Sequence, residues 1–221
     1  MSQRVVEAYV GEYASGKSEV AVNRALRLLA EGRGVTLVDL DLVEPFYTLR
    51  PIKKLLEEKG LTVVAWETRK TMGLGEAGSV MLPAVRWVLR RAGDLILDVG
   101  YGVKGARALN LIEGARGSRE LKTYVVVNIS RPVTGSVEDI VEYVGSLGSV
   151  DGLINNTHLG DETSPALVQE GARVITAAAR ELGLPVIATT ATETVGEAIG
   201  EKDCMGNPVR TLRRYMPGTF W

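Results

Sequence analysis

Cysteine and histidine each occur once, as Cys204 and His158, in a chain of 221 residues. A single thiol excludes an intramolecular disulfide. One thiol and one imidazole also exclude a Cys- or His-cluster metal centre, so the metal to expect is an oxygen-ligated ion such as Mg²⁺. Long apolar runs are missing too: the longest are strand-length and broken by charges, which excludes a membrane-spanning helix. Charge of one sign is not in surplus. The formal net charge of -1 gives no global electrostatic reason to expect nucleic acid or an anionic membrane as partner. Met1-Ser2-Gln3-Arg4 leads straight into a strand-like run rather than a signal peptide, so the expected location is cytoplasmic. No Pro/Ser-rich linker, internal repeat or low-complexity tract divides the chain, and its length suits one domain.

What is present starts with Gly11-Glu12-Tyr13-Ala14-Ser15-Gly16-Lys17-Ser18, which fits G-x-x-x-x-G-K-[ST] directly behind the apolar run Val5, Val6, Ala8, Tyr9, Val10. Glycine lets the backbone curl until successive N–H groups point into one concavity. The helix that follows, with Ala21, Val22, Ala25, Leu26, Leu28 and Leu29 on one face, adds the positive end of its dipole. This is a phosphate-binding P-loop: Gly11, Tyr13, Ala14, Ser15, Gly16 and Glu19 supply backbone around the phosphates. Lys17 reaches the β/γ-phosphates, and the Ser18 hydroxyl ligates Mg²⁺.

Apolar β-rich runs recur at 4–10, 35–40, 61–65, 94–99, 123–129, 150–154 and 185–189, with helix-period segments between most of them. Several are continuously apolar, as in a parallel sheet covered on both faces. The pattern predicts a doubly wound, three-layer α/β fold with a mostly parallel sheet, residues 1–221 forming a single nucleotide-binding domain. The stretch Val209 to Met216 has apolar residues at helical spacing opposite three arginines, and reads as a short amphipathic segment. Residues 201–221 are expected to dock as a tail on the domain, tied down by Phe220 and Trp221.

Two strand ends carry acids. Asp39 and Asp41 lie two residues apart, where period-two spacing aims both side chains the same way at the carboxyl end of a strand, the ligand side of open α/β sheets. They suit ordering Mg²⁺-bound water and the attacking water; the plainer alternative is a solvated turn or helix cap. Asp98 ends the run Asp94-Leu95-Ile96-Leu97-Asp98 and reads as a Walker B acid, with Gly102 close behind where backbone approaches a γ-phosphate. Asn155 and Asn156 end a third strand; an amide there can read a purine edge or satisfy loop backbone. Gly73-x-Gly75-x-x-Gly78 matches a dinucleotide fingerprint but does not directly follow a strand, so it is set aside. The polar loop 66–78 is open to two readings: a lid over the site with Arg69 and Lys70 reaching phosphate, or a connection whose Arg69 and Lys70 are solvated charges.

Together these motifs resemble the MinD/ParA/CobQ-like branch of the SIMIBI class of P-loop ATPases, over nearly the whole chain. The resemblance implies ATP with Mg²⁺, ADP as product, slow hydrolysis, and the nucleotide acting as a conformational switch toward an unidentified protein partner. It assigns Asp39 and Asp41 to the Mg²⁺- and water-positioning pair, Asp98 to the Walker B acid and Asn156 to the adenine contact. Catalysis then falls to Lys17, Asp39 and Asp41, and the metal to Ser18, Asp39 and Asp98. Glu12 stands where that branch places a lysine directed at the partner subunit's phosphates, so a monomer or a constitutive homodimer is expected rather than a nucleotide-driven one. Two other readings share the architecture: a phosphotransferase or ligase of the CobB/dethiobiotin synthetase type, and a non-catalytic nucleotide-binding module.

Overall fold

The structure, a computed structural model, describes residues 3–41, 49–65 and 83–216. The polar loop 66–78, with Arg69 and Lys70, and the aromatic end of the tail lie outside the described residues. The chain alternates strand and helix: β1 (Val6–Gly11), α1 (Lys17–Ala30), β2 (Val35–Leu40), α2 (Lys53–Glu58), β3 (Thr62–Val64), α3 (Pro83–Arg86), β4 (Asp94–Val99) and α4 (Gly102–Ala106). It continues through β5 (Leu121–Val127), α5 (Val137–Leu147), β6 (Gly152–Asn155), α6 (Pro165–Leu182), β7 (Val186–Thr192), α7 (Glu193–Ile199) and β8 (Val209–Leu212). The strands form one eight-stranded sheet in the order β3-β2-β4-β1-β5-β6-β7-β8. All of its neighbours pair in parallel. This is the doubly wound α/β fold expected from the sequence.

Alternation along each strand sorts the core into two halves. Val6, Ala8, Val10, Leu95, Leu97, Val125 and Val127 face α5 and α6, meeting Ile140, Val144 and Ile175. Tyr9, Leu37, Ile96, Val126 and Ile154 face the other way, onto Val20, Ala21, Ala25 and Leu28 of α1 and Leu56 of α2. Truncating a residue such as Leu28 to alanine at this interface would cost roughly 2–5 kcal/mol. Parity then fixes the site. Asp39 lies two residues after Leu37, and Asp98 two after Ile96, so both acids end their strands on the α1 face. They are register partners on adjacent strands. A buried ion pair locks α1 to β1 on the same face: Arg24 donates to both carboxylate oxygens of Glu7, each at 2.9 Å, while the Tyr9 hydroxyl donates to Glu7 at 2.6 Å.

Caps follow the sequence. Ser164 caps α6 by accepting from the Leu167 N–H, with Pro165 in the first turn, and Ser136 and Asp139 form a capping box on α5. One expectation is corrected: residues 209–212 form a strand paired with β7, not a helix. Val209 and Leu212 suit either period, but the open edge of β7 offers a row of unpaired backbone groups that two helical turns cannot match. The chain then crosses α1. Arg213 exchanges two 2.8 Å hydrogen bonds with the Asn23 side chain, and Met216 is buried against the α1 half of the core.

Candidate nucleotide site

Between β1 and α1 the backbone makes the turn that the motif requires. At Gly11 φ is 154°, and a Cβ there would lie 2.4 Å from the Val126 carbonyl oxygen of β5. Gly16 occupies the left-handed region at φ 84°, immediately before α1, and a Cβ there would strike the Asn156 amide nitrogen at 2.1 Å. Between them Ala14 adopts φ 52° without being glycine. The turn is closed by Ser15 N–H donating to the Glu12 carbonyl at 3.2 Å, and the Lys17 ammonium folds over it to the same carbonyl at 2.9 Å.

The strand-end acids converge on this turn. Ser18, in the first turn of α1, hydrogen-bonds Asp98, and Asp39, Asp41 and Lys17 all act electrostatically on that carboxyl. Burial is the largest influence and pushes the Asp98 pKa up to about 7. Asp39 and Asp41 push the same way, against the Ser18 hydrogen bond and the Lys17 charge. Burial likewise lowers the Lys17 pKa, opposed by Asp98, Asp41 and Glu12. The Asp39 carboxylate accepts from the Asp41 N–H at 2.9 Å and lies 3.9 Å from the Arg50 guanidinium. Sequence reasoning missed Arg50, which brings a second cation to a cluster of three acids from the turn before α2. Gly102 opens α4 at φ 67°, four residues beyond Asp98, with no described residue crowding it.

Three residues expected at the nucleotide have additional engagements. Tyr13 donates its N–H to the Glu12 carboxylate at 2.8 Å and leaves its ring exposed, edge-on to Tyr101 at 5.4 Å. Glu19 turns its carboxylate away from the loop to accept the Tyr215 and Met216 N–H groups at 2.7–2.9 Å. Asn156 donates to the Ser15 carbonyl at 2.7 Å and accepts from the Thr190 hydroxyl at 2.6 Å, so its amide acts on the loop. Its neighbour Asn155 is buried in the fold, donating to the Val168 carbonyl and Thr189. Beside the loop runs a cleft lined by Glu19, Asn156, Thr157, His158, Thr163, Thr190, Thr192, Leu212 and Arg214. Arg131 is the other residue missed: its Nε donates to the Ala14 carbonyl at 3.2 Å.

The chain's own groups fit a phosphate and an oxygen-ligated cation. Ser15 Oγ and Asp98 Oδ1 are buried with no hydrogen-bond partner among the described residues, an expensive state unless a ligand completes it, and the loop is shaped where a Cβ would fill it. Among the described residues no group of three or more His, Cys, Asp or Glu side chains could hold a metal ion by itself. A cation here would therefore share its ligands with phosphate, as Mg²⁺ does.

With that geometry in view, the fold compares with those of known proteins. No family model matches the chain, and no curated protein sequence does. Solved structures do match. Cell division protein FtsY from Thermotoga maritima aligns at a TM-score of 0.59 and 19% identity over 88% of this chain and 64% of its own. The signal recognition particle 54 kDa protein from Aeropyrum pernix K1, in complex with GDP, aligns at 0.58 and 19%, over 89% and 43%. FlhF complexed with GTP and Mg²⁺ aligns at 0.50 and 12%, over 80% and 62%. The fold is that of the SIMIBI-class P-loop NTPases. The chain spans less than two thirds of the length of each of these three proteins. The comparisons carry the fold and leave the MinD/ParA branch resting on sequence motifs. Among the described residues no helix is long and apolar enough to cross a membrane.

Proposed function

We propose that the chain is a Mg²⁺-dependent nucleotide-binding switch of the P-loop class that binds ATP and hydrolyses it slowly. One observation carries the reading: Lys17 and Ser18, at the start of α1, meet the paired strand-end acids Asp39 and Asp98, where buried Ser15 Oγ and Asp98 Oδ1 lack hydrogen-bond partners among the described residues. Two solved proteins of the same fold, the 54 kDa particle protein and FlhF, hold GDP and GTP with Mg²⁺ respectively, which supports a nucleotide as ligand.

Each residue's part follows from its position. The loop amides and Lys17 bind the phosphates, Ser18 and Asp98 hold the cation directly or through water, and Asp39 assists them. Mg²⁺, when bound, neutralises charge on the phosphate oxygens. Asp41 orients the attacking water from the half-buried rim, and Gly102 lets backbone approach the terminal phosphate. Asn156 fixes the loop through Ser15. The preference for adenine rests on the cleft beside it. The only carboxylate among its described lining residues is Glu19, already occupied by tail N–H groups, so nothing acidic is offered to the N1 and N2 donors of guanine.

Phosphate release by the purified chain, with Mg²⁺ and ATP alone, tests the reading. Slow basal release that stops on Lys17→Ala is expected. ATP consumption only when a metabolite is added would instead indicate phosphoryl transfer, and tighter binding of GTP than ATP would overturn the base assignment.

A further inference from the structure

Arg131 belongs to none of the motifs read from the sequence, yet it reaches the P-loop by a hydrogen bond from its side chain. It follows β5, the strand that pairs with β1, so its loop leaves the sheet beside the phosphate-binding turn. The fully buried Asn128 is the hub of that loop. Its side chain accepts from the Ser130 N–H at 2.9 Å and the His158 N–H at 3.2 Å, and donates to the His158 carbonyl at 3.1 Å. The Asn128 carbonyl accepts from the Thr134 hydroxyl at 2.7 Å and the Arg131 N–H at 3.1 Å. The backbone that carries the Arg131 side chain is therefore anchored on both sides of that residue.

From there Arg131 Nε donates to the carbonyl of Ala14, the loop's left-handed non-glycine residue. Asn156 takes the next carbonyl, that of Ser15. Two successive carbonyls are thus held by side chains: opposite the Ser15 carbonyl its peptide plane carries the Gly16 N–H, while opposite the Ala14 carbonyl the Ser15 N–H closes the turn onto Glu12. The remaining feature is Arg131 Nη2, which is buried and has no hydrogen-bond partner among the described residues. A buried guanidinium N–H left unpaired is costly, and an anion at the turn would remove that cost.

We propose that Arg131 is a positioning residue for the phosphates: through the Ala14 carbonyl it holds the left-handed step and with it the closed turn of the loop, and it turns its unengaged N–H toward the bound anion. The inference rests on the phosphate site proposed above and adds to it a fixed cation independent of Lys17. That cation comes from the loop after β5, and so compensates within one chain for Glu12 at the loop's second position.

The test uses tripolyphosphate with Mg²⁺, titrated calorimetrically into the full chain as wild type, Arg131→Gln, Arg131→Lys and Lys17→Ala. Loss of one charge-assisted contact predicts roughly 10- to 100-fold weaker binding in Arg131→Gln. Arg131→Lys, which keeps the charge but not the fork, should fall between it and wild type. A spectroscopic readout accompanies this. Arg131 is one of the charges holding His158 neutral, so the imidazole should titrate at higher pH in Arg131→Gln. Wild-type affinity in Arg131→Gln, with Lys17→Ala inactive, would overturn the role of Arg131 and leave the phosphate site standing. No binding by wild type would overturn both. If Arg131→Gln fails to fold, Arg131→Lys decides: wild-type affinity there would contradict the proposal.

Discussion

His158 shows how a single residue reports on the site. Burial is the main influence lowering its pKa to about 4 from an ordinary 6.5, and the guanidinium groups of Arg131 and Arg214 add to it. The unfolded chain takes up the proton more readily, so this contribution to stability is complete above about pH 6.5 and is lost as pH falls toward 4. As the chain's one histidine it gives one NMR titration, expected to have its midpoint near 4; a midpoint near 6.5 would contradict the buried placement. At Asp41 the prediction concerns chemistry. Asp41→Asn keeps the shape and loses the charge, so nucleotide binding should persist while turnover falls about 10²–10⁴-fold, the usual worth of a placed base or orienter. Unchanged turnover in Asp41→Asn, with Asp39→Asn inactive, would move that role to Asp39. Residues of this kind were legible to differing degrees. Lys17, Ser18, Asp39 and Asp98 announce themselves because phosphate and Mg²⁺ demand fixed residue types at fixed spacing. Arg50 and Arg131 do not, because each reaches the site from a loop whose neighbours depend on strand order, which a sequence pattern leaves open.

At the scale of elements, α1 does two jobs. Its first turn carries Lys17 and Ser18, and the next positions on the same helix, Glu19 and Asn23, hold residues 213–216. Asn23→Ala removes two hydrogen bonds to Arg213 and should cost about 1–3 kcal/mol. It should also speed tryptic cleavage at Arg213 and Arg214; an unchanged melting temperature and cleavage rate would show that β8 alone anchors the segment. Seven of the eight strands were legible as apolar runs, because a parallel sheet covered on both faces needs them. β8 was not: Val209-Arg210-Thr211-Leu212 lies at the sheet edge, where only Leu212 is buried, and tertiary pairing with β7 overrode the helical spacing.

For the whole molecule, the alternation of strand and helix made the doubly wound sheet legible, while the MinD/ParA branch stayed a matter of motifs. Assembly is where that difference has consequences. The Glu12 carboxylate accepts from the neighbouring Tyr13 N–H, and a carboxylate facing a partner's phosphates across a dry interface would be penalised by like charge. Light scattering on Asp41→Asn should therefore give the same mass with and without Mg-ATP; an ATP-induced doubling would contradict this and require a cation elsewhere to act across the interface. The central claim, a phosphate site built on Lys17 and completed by Mg²⁺ and nucleotide, is tested most directly by calorimetric titration of Mg-ATP into wild type and Lys17→Ala. The lysine contributes charge at the turn and belongs to neither apolar half of the core. Wild type should bind at one site per chain and the variant should not, while both melt cooperatively. Wild-type affinity in Lys17→Ala, or no binding by a folded wild type, would contradict the account.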